Sequence, residues 1–496
     1  MKAVLMRMSV LLTVCLVAAL IASSATDTRG AAEDADLELI PDRVMSQPAP
    51  QAGVPVPEAE KPGQSESHRI KVFLDEAFQG NFHRGSLAVP LPDSSSSTGW
   101  NNRISLDMRA EIRLLPEVSF IFADRLNHFL NQGEDPAEDD LLNDLKECYL
   151  TWNIHASHYL DLGRINVKNG VAVGFNPTDY FKKDAVRSRI SEDPGVLREN
   201  RLGVFMARAQ GIWEKGALTL ILAPEVSPKA NRWWTDEEII GLGLDRTNRT
   251  TRFLSKLTLN VLEDFNPEML YLYDDGLSSW GLNITKGVGD NIVTYAEWSG
   301  SLRRDIASRA FLDGQRDGAI PPSAPRVLSG TDERHFRNQL AVGFSYTEKV
   351  NRTTNFEYHF NEAGFSQRNW DDWLHAGAAA KSLLNNPRTE ALGRGMLGQL
   401  WLVREAFQDA GEPIARHSLF IRSSWQDALV KSLDLTGILN ISLRDGSFLA
   451  QPMAEYHLSS SWTLSLTMDF FIGSDRTDFG TLSRWGDIRA GVAFYF

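Results

Sequence analysis

Residues 461–472 read SWTLSLTMDFFI, with Trp462, Leu464, Leu466, Met468, Phe470 and Ile472 on alternate positions and Thr463, Ser465, Thr467 and Asp469 between them. Side chains alternate across a β-strand but repeat every 3.6 residues around a helix, so only an extended chain gathers these residues into one apolar and one polar face. The segment therefore reads as a strand between an apolar phase and a polar one.

The same arithmetic recurs outward from this segment, from Arg69 to the end. Between Asn102 and Leu114, Ile104, Leu106, Met108, Ala110, Ile112 and Leu114 oppose Arg103, Ser105, Asp107, Arg109, Glu111 and Arg113. Leu433, Leu435, Leu439, Ile441 and Leu443 oppose Asp434, Thr436, Asn440, Ser442 and Arg444, and Leu340, Val342, Phe344 and Tyr346 oppose Gly343, Ser345 and Thr347. Charges on one face and aliphatic side chains on the other fit a strand with hydrocarbon outside and water inside. In lipid every backbone N–H and C=O must be paired, which a sheet achieves only by closing on itself. Runs of about ten residues give roughly 16 to 19 strands, and the even numbers usual in single-chain barrels point to about 18 (16–18). The expected fold is all-β: a single transmembrane antiparallel β-barrel over 69–496 with long outer loops, too wide for side chains to fill.

Composition agrees. Hydrophobic residues make up 43% of the chain and mean hydropathy is -0.25, which excludes a bundle of apolar spanning helices but suits strands that show lipid every second residue. Lys2 and Arg7, the apolar run Val10–Ile21 and the small residues Ala22–Ala25 read as a signal peptide over 1–25. Residues 26–68, acidic and rich in Pro and Ala, read as a flexible periplasmic leader, with a short helical plug segment as the alternative. Losing the first 25 residues removes two basic and no acidic side chains, so the net charge moves from -13 to -15 and nucleic acid is excluded as a partner. Of the two cysteines only Cys148 then remains, which rules out an internal disulfide or a cysteine metal cage.

The last segment, Asp487–Phe496, places Ile488, Ala490, Val492, Phe494 and Phe496 outward. It resembles the C-terminal signature of outer-membrane proteins, which implies recognition by the barrel-assembly machinery through Phe496. The implied home is the outer membrane, with its lipid and lipopolysaccharide as surroundings. Trp100, Trp152, Trp213, Trp280, Trp298, Trp425, Trp462 and Trp485 suit interfacial girdles. Pro116-Glu117, His155–Ser157, Asp275-Gly276 and Asp445-Gly446 read as brief periplasmic turns, and 169–200, 227–248, 301–335 and 366–395 as outer loops or inward folds, with a short helix over 371–384.

Inward positions carry Arg103, Arg109, Arg113, Lys256, Arg404, Arg422, Arg444 and Arg489 together with Asp107, Glu111, Glu297, Glu357, Asp434 and Asp469. Two readings stand: an arginine-lined path for anionic solutes, or charge pairing that keeps the wall hydrated. The stretch from Gly163-Arg164-Ile165-Asn166 through Lys168 to Gly174-Phe175-Asn176-Pro177-Thr178-Asp179 resembles a segment of porin-like and alginate-export-like barrels that folds from wall to pore. The resemblance implies a channel role for this loop, with Arg164, Lys168, Asn176 and Asp179 as constriction candidates; a purely structural turn is the other reading. No Gly-x-Ser-x-Gly elbow, His-Glu-x-x-His pair or phosphate-cradling glycine loop is present, so no enzyme chemistry, cofactor or metal is expected. The function expected is a porin-like channel for hydrophilic solutes. The alternatives are an export conduit for a secreted polysaccharide, such as an alginate-like polymer, and a plugged barrel serving as receptor or scaffold.

Overall fold

The computed structural model describes residues 68–92, 99–130, 141–226, 241–260, 265–330 and 332–496. The signal segment and nearly all of the leader lie outside the described residues. Eighteen strands follow in order: β1 His68–His83, β2 Trp100–Leu115, β3 Val118–Leu130, β4 Leu141–His155, β5 His158–Ile165, β6 Val204–Trp213, β7 Gly216–Ala223, β8 Arg252–Leu259, β9 Glu268–Asp274, β10 Leu277–Val288, β11 Ile292–Arg303, β12 His335–Glu348, β13 Arg352–Asn361, β14 His417–Trp425, β15 Leu433–Ser442, β16 Phe448–His457, β17 Trp462–Ile472 and β18 Arg484–Tyr495. Each pairs antiparallel with its sequence neighbours, and β1 pairs with β18 from Phe73 opposite Tyr495 to Gly80 opposite Ile488, which closes the barrel. No sheet edge is left, the condition a sheet must meet in lipid.

The outer face carries the alternation's apolar half. Trp462, Leu464, Leu466 and Ile472 of β17, and Val342 and Phe344 of β12, are exposed on the outer face. Rings gather at both ends of the band. Phe78 stacks on Trp100 and Phe82 on Trp485 at one level, while Trp462 packs against Phe494 at the other.

Even-numbered strands end in brief turns, and the ends of the barrel sequence, His68 and Phe496, lie on that same rim. Odd-numbered strands lead into the long connections. Two of the four turns read from the sequence as periplasmic therefore sit on the opposite rim: Asp275-Gly276 joins β9 to β10 and Asp445-Gly446 follows β15. Asp275 and Gly276 both have positive φ (46° and 75°), the hairpin conformation that matches strand twist. Turn chemistry fixes that a hairpin forms, but only the count of preceding strands fixes which rim it occupies.

Among the described residues, five α-helices lie in the long connections: α1 Pro194–Glu199, α2 Leu244–Thr247, α3 Ile306–Arg316, α4 Gln367–Leu383 and α5 Glu390–Asp409. The helix expected over 371–384 starts four residues earlier because Ser366 and Asn369 form a reciprocal cap. Helix α5 escaped the sequence reading. Gly393, Gly395 and Gly398 weaken its helical propensity, yet Leu397, Leu400, Val403 and Phe407 share one buried face, and tertiary packing outweighs propensity. Arg404, expected on the inner wall, consequently lies on α5, where it bonds Thr481 Oγ1 (2.8 Å) and Asp478.

Candidate functional site: the inward-folded loop

The connection from β5 to β6, residues 166–203, turns into the barrel rather than away from it. Its apolar residues Val167 and Phe181 pack on the inner faces of β6 to β9, against Met206, Ile221, Leu254, Leu270 and Leu272. From there the loop continues round the inner wall to β11 and β13, two and four strands beyond β9, where two buried carboxylates receive it. Glu297 of β11 accepts the backbone N–H of Val171 (2.9 Å), Ala172 (3.1 Å) and Thr178 (2.7 Å) and the Thr178 hydroxyl (2.9 Å). Glu357 of β13 accepts the N–H of Val173 (2.6 Å) and Gly174 (3.0 Å), the Tyr295 hydroxyl (2.8 Å) and a bond with His359 Nε2 (2.7 Å).

Both glutamates are fully buried, so the loop must satisfy them. The glycines in the loop permit the approach. Gly170 has φ +95° and a Cβ there would stand 2.7 Å from the Glu297 carboxylate oxygens, while Gly174 lies flat on the Phe420 ring.

The second limb of the loop runs past the remaining walls. Arg489 of β18 donates to the Ile190 carbonyl, Arg422 of β14 meets Asp193 (3.4 Å), and Arg125 of β3 donates to Asn200 Oδ1 (2.9 Å). Asp193 also caps α1 by accepting from Gly195 N (2.8 Å). Within the loop, Arg201 grips Asp179 (2.8 and 3.2 Å) with Arg198 nearby (3.8 Å). Burial opposes the charge on Asp179, but these guanidiniums more than offset it and hold the carboxyl below its ordinary range. Burial pushes the Lys182 amine down to about 8 in spite of nearby Asp179, Glu412 and Glu297.

The candidate positions thus part into three groups. Glu297, Glu357, Arg422 and Arg489 touch the loop. A second group pairs along the wall: Arg103 with Asp75 (2.5 Å), Lys256 with Glu268 (3.3 Å), and Asp469 with Gln451 (2.6 Å) and Arg489. The third stands near the short-turn rim: Arg109, Glu111 and Arg113 are exposed, and Asp434 accepts from Asp427 N (2.9 Å) and His457 (3.3 Å). Arg444 is not on the wall, because β15 ends at Ser442; its guanidinium lies 4.5 Å over the Trp370 ring and pairs with Asp445.

Of the loop candidates, Asn176 donates to the Ala172 carbonyl and Lys168 pairs with Glu199, while Arg164 joins the carbonyls of Gly203 (3.0 Å) and Leu242, tying two connections together. The sequence reading missed Thr178, Tyr295, Arg201 and Asp193 as members of the site. Thr178 was legible only as a turn former, and Arg201 carries no local signal because its partner lies 22 positions away.

Above the loop, α3, α4, α5 and residues 87–92 form a cap with its own apolar core: Val89, Ile306, Phe365, Trp370, Trp373, Leu397, Leu400 and Phe407. Trp401 donates to the Pro90 carbonyl (2.8 Å) and Arg394 to that of Pro92 (2.9 Å), fastening the cap to the β1–β2 connection. Glu412, just past α5, pairs with Arg303 of β11 (2.7 Å). Burial opposes its charge, yet Arg303, Arg309 and Lys182 outweigh that and draw its carboxyl down to about 2.

No family model matches the chain, and no curated protein matches it in sequence. Solved structures do. OccAB1 of Acinetobacter baumannii superposes over 87% of this chain and 97% of its own, at 10% identity and a TM-score of 0.50. OccK5 of Pseudomonas aeruginosa covers 87% and 98% at 8% identity and 0.46, and OprB of Pseudomonas putida 87% and 94% at 9% and 0.43. At such identities the likeness speaks to the fold: a closed barrel of the outer-membrane porin kind, the architecture of an integral outer-membrane protein.

Proposed function

We propose that this protein is a porin-like outer-membrane channel for hydrophilic solutes, with residues 166–203 setting its constriction. The observation that carries the reading is the anchoring of that loop inside the lumen by Glu297 and Glu357. A loop meant for the outer surface has no use for two fully buried carboxylates on the inner wall; a loop that narrows a passage needs such fixed points. The exposed Arg109 and Arg113 beside Glu111 give the short-turn vestibule a basic lean on β2, which favours anionic solutes.

Single-channel recording of the purified barrel in planar bilayers tests this. Steady steps are expected, with anions carrying the larger share of current. A silent protein, silent also after removal of 367–409, would defeat the channel reading. The cap gives a second reading its footing: α3 to α5 cover part of the long-loop mouth, so current that appears only on removing 367–409 would favour a plugged barrel acting as receptor or scaffold. A conduit for a secreted polysaccharide finds no such specific support.

A further inference from the structure

Like charges directly opposite one another on neighbouring strands destabilise a sheet, and this barrel offsets two such pairs on its inward rows. Asp469 of β17 stands opposite Asp487 of β18, and Arg489 bridges them, donating to Asp487 at 3.1 Å. Asp434 of β15 stands opposite Glu455 of β16, and Asp434 takes the Asp427 amide (2.9 Å) and the His457 imidazole (3.3 Å). A basic pair repeats the geometry near the short-turn rim: Lys71 of β1 stands opposite Arg109 of β2, and both are exposed. This pair faces the lumen. Asp75, on the same face of β1, meets Arg125, which in turn reaches Asn200 of the inward-folded loop.

No acid of the barrel pairs with Lys71. On this face Asp75 is taken by Arg103 and Arg125 (2.5 and 2.9 Å), Asp107 by Lys146 (2.5 Å), and Glu111 stands opposite Arg69. The row through Lys71 and Arg109 continues to Ala123 of β3 and Glu147 of β4, so the acid among those positions lies at the end remote from Lys71. On the other side Phe496 ends the chain with its N–H on the Val72 carbonyl. Among the described residues the Lys71 ammonium has no hydrogen-bond or ion-pair partner.

We propose that Lys71 and Arg109 form a binding subsite for a phosphate-bearing solute at the short-turn mouth, which names the solute class of the proposed channel and rests on that reading for its role. The charges select the group. Side chains directly opposite on antiparallel strands stand about 5 Å apart at Cβ, close enough for both cations to meet one small anion. A carboxylate brings them a single negative charge. A phosphate monoester near neutral pH brings about two, on three acceptor oxygens, enough to serve the guanidinium fork and the ammonium together. Because the pair faces the lumen, the phosphate belongs to a passing solute and not to a lipid headgroup.

Phosphorus NMR titration of glycerol phosphate against the purified full chain in detergent reads binding apart from conduction. Saturable line broadening is expected, reversed by inorganic phosphate and far less by acetate. Lys71→Gln and Arg109→Gln are each expected to weaken binding about threefold, the worth of an exposed charge pair. Lys71→Arg, which keeps the charge, is expected to bind as the wild type does, and so is Lys349→Gln, which removes an exposed lysine from the β12–β13 turn. Heat-modifiable gel mobility confirms that each barrel is intact. Broadening that does not saturate overturns the inference, as does equal displacement by acetate and phosphate, or a loss at Lys349→Gln that matches the loss at Lys71→Gln. Specific phosphate binding by a protein silent in bilayers defeats the channel reading and leaves the subsite standing; steady current without phosphate binding does the reverse.

Discussion

Two long connections leave the same rim of this barrel and are held in opposite ways. Residues 166–203 are held by hydrogen bonds: carboxylates of β11 and β13 take up loop amides, and loop carbonyls and acids take up wall guanidiniums. Residues 362–416 are held by an apolar core in which Trp370, Trp373, Leu397 and Leu400 are fully buried. Hydrogen bonds are directional and costly to leave unmade, so the first arrangement fixes a backbone path across the lumen. Apolar burial is indifferent to direction, so the second makes a small packed body resting on the rim. A constriction needs the former kind of precision; a cover needs only the latter.

Replacing both anchors separates the two regions most sharply. Each buried donor left without its acceptor costs about 1–3 kcal/mol, so Glu297→Ala with Glu357→Ala is expected to release residues 170–178. Hydrogen exchange of that stretch should rise and single-channel conductance should become larger and noisier, with the cap unchanged. Trp373→Ala works on the other region alone. Removing a fully buried indole, whose Nε1 donates to the Leu400 carbonyl, is expected to cost the cap about 3–5 kcal/mol. Limited proteolysis should then cut between α4 and α5 while the loop anchors keep their exchange protection.

Acid should loosen the junction of the two. Because the Glu412 carboxyl is held at about 2 rather than 4.5, its contribution is fully present above pH 4.5 and is lost as pH falls toward 2. A shift of this size corresponds to about 3 kcal/mol at most, and Glu412→Gln should remove the pH dependence of cap protection in that window. Gly170→Ala is expected to cost about 1–2 kcal/mol, since alanine tolerates the left-handed backbone poorly and its methyl meets Glu297. A partial rise in loop exchange would register it. Arg109→Gln touches neither region; stability should stay within about 0.5 kcal/mol, and only anion preference in reversal-potential measurements should fall slightly.

Where a residue's role depends on its own strand, the sequence disclosed it. Trp462 to Ile472 could lie in no other conformation, and the inward parity of Arg103, Glu297, Glu357 and Asp469 followed from counting by two. Parity says which face a side chain takes, not what it meets there. Glu357 and Arg109 share that inward parity, yet one is sealed beneath a loop and the other is exposed.

The amino-acid sequence by itself determined the wall, because lipid outside and water inside impose a period of two that is written locally, residue by residue. The tertiary structure alone decided what fills the lumen: that Glu297 meets Thr178, that Arg201 meets Asp179, and that α5 forms despite its glycines. Those contacts join residues far apart in the chain, and no local spacing records a partner that only closure of the barrel brings near.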